Sequence, residues 1–238
     1  MSHDPRVHSR ELDKMIERQI RNWELARQQK IQAAAREARP VEEFVAISRA
    51  VGLDCAEVIQ ALHDQLGWPV FDRQVLQAMA GGDDYRRRLY ATMDERDLSW
   101  LEECLRSMGE GKYSKNDYFH RLRETILSLA RKGHTIFVGR AADLILPRSV
   151  GLRVRLTASR AYCIKQYSSL NGVPADRAEE AISEMENERA KFILHHFGVE
   201  AAEATRYDLI INMERMTARQ AAALMAFALR DRGMDGPR

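Results

Sequence analysis

Cysteine is almost missing from this 238-residue chain, which has only Cys55, Cys104 and Cys163. An odd number at wide spacing excludes a disulfide framework and a zinc knuckle, so all three read as reduced thiols. Proline and glycine are scarce too, at 6 and 13 residues, which excludes collagen-like and low-complexity architectures. Long hydrophobic runs are lacking. The longest, 221–229, is far shorter than the roughly 20 residues of a membrane-spanning helix, and no membrane partner is expected. Residues 1–10 are polar and lack the apolar stretch of a secretory signal, so the expected compartment is the cytoplasm. Charge of one sign is also wanting: 37 basic against 35 acidic residues leave +2, too balanced for a dedicated nucleic-acid binder.

What is present is the composition of a globular protein, 45% hydrophobic and 30% charged. Residues 1–40 stand apart. The stretch 11–38 has no glycine or proline, is rich in Glu, Arg, Gln and Ala, and is closed by Pro40. Leu12, Ile16, Ile20, Trp23 and Ile31 recur at helical spacing, which predicts a charged helical arm with a narrow apolar stripe. Such a stripe packs either on its own domain or on a partner helix, so the arm is a candidate for oligomerisation or partner contact.

From residue 41, short β-rich runs alternate with longer helical ones. Strands are predicted at 44–48, 69–71, 135–138, 152–156 and 208–212. Helices are predicted at 55–66, 73–80, 95–107, 117–131, 141–146, 160–170, 175–196 and 218–229. Buried strands of Val, Ile, Leu and Phe alternating with helices imply an α/β domain, 41–238, built on a parallel sheet. Residues 81–118, interrupted by glycines, read as a largely helical insertion. Trp23, Trp68 and Trp100 read as packing residues.

In an open parallel sheet, ligands bind where the strands end. The first strand runs into Ser48 and Arg49, the second into Asp72 and Arg73, the third into Gly139 and Arg140 followed by Asp143. Each pair also suits a structural role, since charged residues end strands and cap helices. Together, several guanidiniums and two carboxylates suit a ligand with a phosphate and a hydrogen-bond-donating group. No metal-ligating cluster is marked, and His195–His196 read as surface residues. On the predicted helix 175–196, Arg189 lines up with Ile182, Met185, Phe192 and His196, so it either snorkels or points into a cleft.

Four blocks in order, Ile47-Ser48-Arg49, Gly67-Trp68-Pro69-Val70-Phe71-Asp72-Arg73, Ile136 to Asp143 and Tyr207 to Asn212, resemble the cytidylate kinase-like family, relatives of the P-loop nucleoside-monophosphate kinases. The resemblance implies a P-loop kinase-like three-layer fold with a five-stranded parallel sheet. It also implies phosphoryl transfer from ATP, with Mg²⁺, to CMP or a similar nucleotide. By that likeness Asp72, Arg140 and Asp143 face the acceptor nucleotide, Ser48, Gly52 and Arg73 belong to the nucleotide site, and Arg49 and Arg189 act on the transferring phosphate.

The phosphate loop departs from the pattern. A G-x-x-x-x-G-K-[ST] loop cradles phosphates with amides, a lysine and a hydroxyl. In Ser48 to Glu57 only Gly52 survives, the lysine position falls near Cys55 and the hydroxyl position near Ala56. Asp54 repels a triphosphate, and each lost charge-assisted bond costs on the order of 1.5–3 kcal/mol. Two readings are open: a kinase with a rearranged donor site, with Arg49 as the replacement cation, or a non-catalytic nucleotide-binding regulator that kept the fold, a pseudokinase. Cys55, next to Asp54, reads as an inert buried thiol.

Overall fold

The computed structural model describes residues 13–24, 41–91, 93, 95–107, 118–201 and 203–234. In chain order the elements are α1 (13–24), β1 (Phe44–Arg49), α2 (Ala56–Leu66), β2 (Val70–Phe71), α3 (Arg73–Gly81), α4 (Asp83–Ala91), α5 (Glu95–Ser107), α6 (Tyr118–Lys132), β3 (Thr135–Val138), α7 (Ala142–Ile145), β4 (Leu152–Thr157), α8 (Arg160–Asn171), α9 (Ala175–Phe197), β5 (Leu209–Asn212) and α10 (Ala218–Met234). The strands form one parallel sheet in the order β2-β3-β1-β4-β5, the α/β class with a five-stranded parallel sheet expected from the sequence. Each predicted strand and helix is present, with ends that move by one or two residues at most positions. Helix α10 runs five residues further, to Met234.

The chain divides into two compact units, one of Met1–Phe44 with Trp68–Val150, the other of Val45–Gly67 with Gly151–Arg238. In the first, β2 pairs with β3 through Val70↔Ile136 and Phe71↔Phe137. All four residues of β3 are buried, as expected of a strand covered on both faces. Helix α3 packs on α6, and Leu76 and Met79 of α3 and Ile126 and Ala130 of α6 are buried. The apolar stripe of α1 is used inside this unit. Ile16, Ile20 and Trp23 are buried, the Trp23 indole donates to the Leu129 carbonyl at 3.2 Å, and the Gln19 side chain accepts from the Val70 amide at 3.0 Å. Burying a side chain as large as Trp23 contributes roughly 3–5 kcal/mol against alanine. Leu12, Ile31 and the remainder of the arm, and residues 108–117 of the insertion, lie outside the described residues.

In the second unit β1 pairs with β4 from Val45↔Leu152 to Arg49↔Leu156, and β4 pairs with β5 from Val154↔Leu209 to Thr157↔Asn212. Asp208 pins that edge: its carboxylate accepts from the Arg153 amide at 2.7 Å while its own amide donates to the Arg153 carbonyl. Helix α10 packs on α2, and its Ala221, Ala222, Met225 and Ala226 are buried. Small residues along one face allow that close approach. Helix α8 packs on α9.

Candidate functional site

The register of β2 and β3 brings one set of marked residues to a common edge. Asp72 directly follows Phe71, and Gly139 and Arg140 follow Val138, the strand-mate position one step beyond Phe137. Asp72 is the N-cap of α3, its Oδ1 accepting the amides of Gln74 and Val75 at 2.9 Å each. The capping role open to a charged residue at a strand end is therefore present, and one carboxylate oxygen is already engaged. Arg73 is exposed at the first position of α3. Asp143 is buried in the short helix α7.

Arg140 sits on an unusual piece of backbone. Gly139, Arg140 and Ala141 have successive φ values of +76°, +53° and +54°. For the two non-glycine residues this left-handed conformation costs roughly 1–2 kcal/mol each, and such strain gathers at functional sites. The Arg140 guanidinium donates to the Gln77 side-chain carbonyl on α3, while its Nε is buried without an acceptor. Burial pulls the Arg140 pKa down; Tyr118 opposes this and the neighbouring Arg73 charge adds to it. Tyr118, at the start of α6, has its own pKa raised by burial against the pull of Arg140 and Arg73. The motifs in the sequence do not single out Tyr118 or Gln77. Gln77 is recognisable only from its helical spacing, on the face one turn beyond Arg73.

The end of β1 carries the other marked set. Ser48 is partly buried and Arg49 exposed. Arg189, from the middle of α9, donates to the Arg49 carbonyl at 2.6 Å. Arg155, on β4 and opposite Ser48 in the register, donates to the Ser48 hydroxyl at 2.8 Å and lies 5.9 Å from the Tyr207 ring centre. Burial lowers the Arg189 pKa to about 10, and the charges of Arg155 and then Arg49 push in the same direction. Arg155 carries no mark in the sequence, where an arginine in a β-rich run looks like strand alternation.

The loop from Ala50 to Cys55 is filled. Leu53 and Cys55 are buried, and Gly52, at φ +85°, is pressed against the Cys163 carbonyl and Ile182. Several of the loop's polar groups are engaged by the chain itself. The Leu53 amide donates to the Ala50 carbonyl at 3.4 Å, the Leu53 carbonyl accepts from Arg49 Nη1 at 3.0 Å, and the Asp54 amide donates to the Gln166 side chain at 2.9 Å. At the N-terminus of α2, Asp54 Oδ1 accepts the Ala56 amide at 3.0 Å. Helix N-termini attract anions, and here the chain's own carboxylate occupies one of those donors. Burial pushes the Cys55 thiol up to about 11, which agrees with an inert thiol.

The chain is similar in structure to an uncharacterized protein from Eubacterium ventriosum, at 16% identity and a TM-score of 0.63 over 79% of this chain and 98% of that one. A shikimate kinase from Bacteroides thetaiotaomicron shows 15% identity and a TM-score of 0.43 over 81% and 98%. A gluconokinase from Sinorhizobium meliloti shows 12% and 0.42 over 83% and 99%. No curated protein matches in sequence. The sequence pattern of the cytidylate kinase-like family extends over residues 44–215, from the first residue of β1 past the end of β5, so the chain belongs to the cytidylate kinase-like family.

Proposed function

We propose that the chain binds CMP or a similar nucleoside monophosphate at the residues following β2 and β3, and that phosphoryl transfer from ATP is strongly weakened or lost. Arg140 and Arg73 supply guanidiniums for the phosphate, and Asp72 and Asp143 supply acceptors for hydrogen-bond donors of the nucleotide. The strain stored at Arg140 supports a binding role, because a left-handed arginine is retained only where the surroundings over-determine it. A cytoplasmic setting belongs to the same reading.

The observation that carries the loss of transfer is the Asp54 carboxylate on the Ala56 amide. A triphosphate approaching α2 has to displace a carboxylate and then faces its negative charge. Family members generally use ATP with Mg²⁺, for which the loop normally supplies a hydroxyl. The residues here do not fit that ion: Ala56 stands near the hydroxyl position, and the Ser48 hydroxyl is engaged by Arg155. The described residues contain no group of three or more His, Cys, Asp or Glu side chains suited to a metal.

A second reading, an active kinase with a rearranged donor site, is favoured by the Arg189 contact to the Arg49 carbonyl, which gathers cations at the end of β1. A coupled assay with ATP, Mg²⁺ and each nucleoside monophosphate separates the two. The proposal expects a saturable rise in melting temperature with CMP, since a ligand of the native state stabilises by mass action, and turnover no higher than that of Arg140→Ala. Turnover well above that control sinks the loss of transfer, and no thermal shift at millimolar CMP sinks nucleotide binding.

A further inference from the structure

Arg140 is tethered at its far end by a neutral group. Its guanidinium donates to the side chain of Gln77, 63 residues away in sequence, and because a guanidinium has donors only, the Gln77 atom in contact is the carbonyl oxygen. The near end is fixed by the main chain, where the left-handed run at 139–141 sets the direction in which the side chain leaves. Between the two, Nε is buried without an acceptor. The ionisable groups that act on this half-buried cation are Tyr118 and Arg73, and among the described residues Arg140 forms no ion pair. The Asp72 carboxylate, at the start of the same helix as Gln77, is turned to the amides of Gln74 and Val75.

Glutamine and glutamate form helix about equally well, so α3 itself gains nothing from the neutral residue. A glutamate at position 77 would make a charge-assisted pair with Arg140, stronger than the bond to an amide, and would neutralise the guanidinium. We propose that Gln77 is a positioning residue: it fixes the Arg140 guanidinium while leaving its charge for the phosphate of a nucleoside monophosphate, and so sets the preference for the phosphorylated ligand over the bare nucleoside. The inference rests on the proposed binding at the residues following β2 and β3. Gln77 acts through Arg140, by holding a side chain with many rotamers in place before the ligand arrives. Ordering one such side chain in advance is worth about two- to tenfold in affinity.

Calorimetry with CMP, and thermal shift with CMP and cytidine at millimolar levels, test this on the full chain. Gln77→Met keeps the length of the side chain without its acceptor and should weaken CMP about two- to tenfold. Gln77→Glu should weaken CMP by about tenfold or more, with the melting temperature of the free protein held or raised. Stabilisation by cytidine should be the same in wild type and both variants. In an Arg140→Met background, adding Gln77→Met should change CMP affinity no further, because two residues that act as a unit are not additive. Should Gln77→Met or the double variant fail to fold, Gln77→Glu alone decides. Wild-type CMP affinity in folded Gln77→Glu overturns the inference, as does a fall for cytidine as large as that for CMP, or a Gln77→Met loss that persists in full without Arg140. Each of those results leaves CMP binding standing, whereas a wild-type chain that does not bind CMP removes the proposed function and this inference together.

Discussion

Gly52 lies so near the carbonyl group of Cys163 that a Cβ at its position would stand 2.9 Å from that oxygen and 2.7 Å from the Ile182 methyl. The backbone there also has φ +85°. Gly52→Ala therefore combines a left-handed penalty of about 1–2 kcal/mol with overpacking of about 1–3 kcal/mol. Chemical denaturation is expected to read a loss of about 2–5 kcal/mol. Trimming Ile182 to Val in the same chain should recover only part of it, because the carbonyl cannot move away. Full recovery would mean that the side chain alone sets the fit.

Asp72 has two candidate duties that substitution can separate. Asp72→Ala removes the acceptor of two amides and should cost about 1 kcal/mol as a lost N-cap. Asp72→Asn keeps a capping oxygen and should retain most of the stability. If the carboxylate also recognises the nucleotide, CMP affinity falls in both variants, whereas a purely structural role weakens it in neither once the protein is folded.

At Arg140, stability and binding are expected to part company. Arg140→Gly relieves a left-handed non-glycine residue, a gain of about 1–2 kcal/mol, set against about 0.5–1 kcal/mol of added chain entropy and the lost Gln77 bond. The melting temperature should hold or rise slightly while the CMP-induced shift disappears. A large fall in melting temperature would show that the guanidinium is chiefly a structural prop.

Cys55 provides a pH test. Burial raises its pKa to about 11 from 9.0; Arg49 opposes the rise and Asp54 adds to it. A native pKa above the unfolded one means that the protonated thiol stabilises the fold. That contribution is complete below about pH 9 and is lost between about pH 9 and about 11, on the order of 3 kcal/mol in all. Wild type should lose more stability between about pH 8.5 and about 10.5 than Cys55→Ala, measured by urea unfolding. In the native state at about pH 8 the thiol should react slowly with iodoacetamide.

Much of the fold is legible from sequence because its signals are local. Runs such as 44–47 and 135–138 are continuous and apolar, and flanking glycines and charged residues mark their ends. The set after β2 and β3 is reached by taking the residue that succeeds each strand, and the parallel register of Val70 and Phe71 with Ile136 and Phe137 does place those strand ends side by side. The loss of the phosphate loop can be read from Leu53 and Asp54. The features that escape depend on pairing across long separations. Arg155 meets the Ser48 hydroxyl because the register sets the two opposite each other, and no composition or periodicity reveals which strand lies beside which. The left-handed turn at Arg140 is hidden for a different reason: Gly139 announces one such residue, and nothing in the sequence announces that Arg140 and Ala141 continue it.

The division of the chain has an implication for its synthesis. Each unit is assembled from two separated stretches, the first interrupted by Val45–Gly67 and the second by Trp68–Val150. As the nascent chain leaves the ribosome, Val45, Ala46 and Ile47 emerge long before Leu152, Arg153 and Val154, the residues that will pair with them. An apolar strand without its neighbour invites wrong pairing. A C-terminally shortened product ending before β4 should therefore depend on chaperones or precipitate, and neither half of the chain, split at its midpoint, contains the parts of a complete unit.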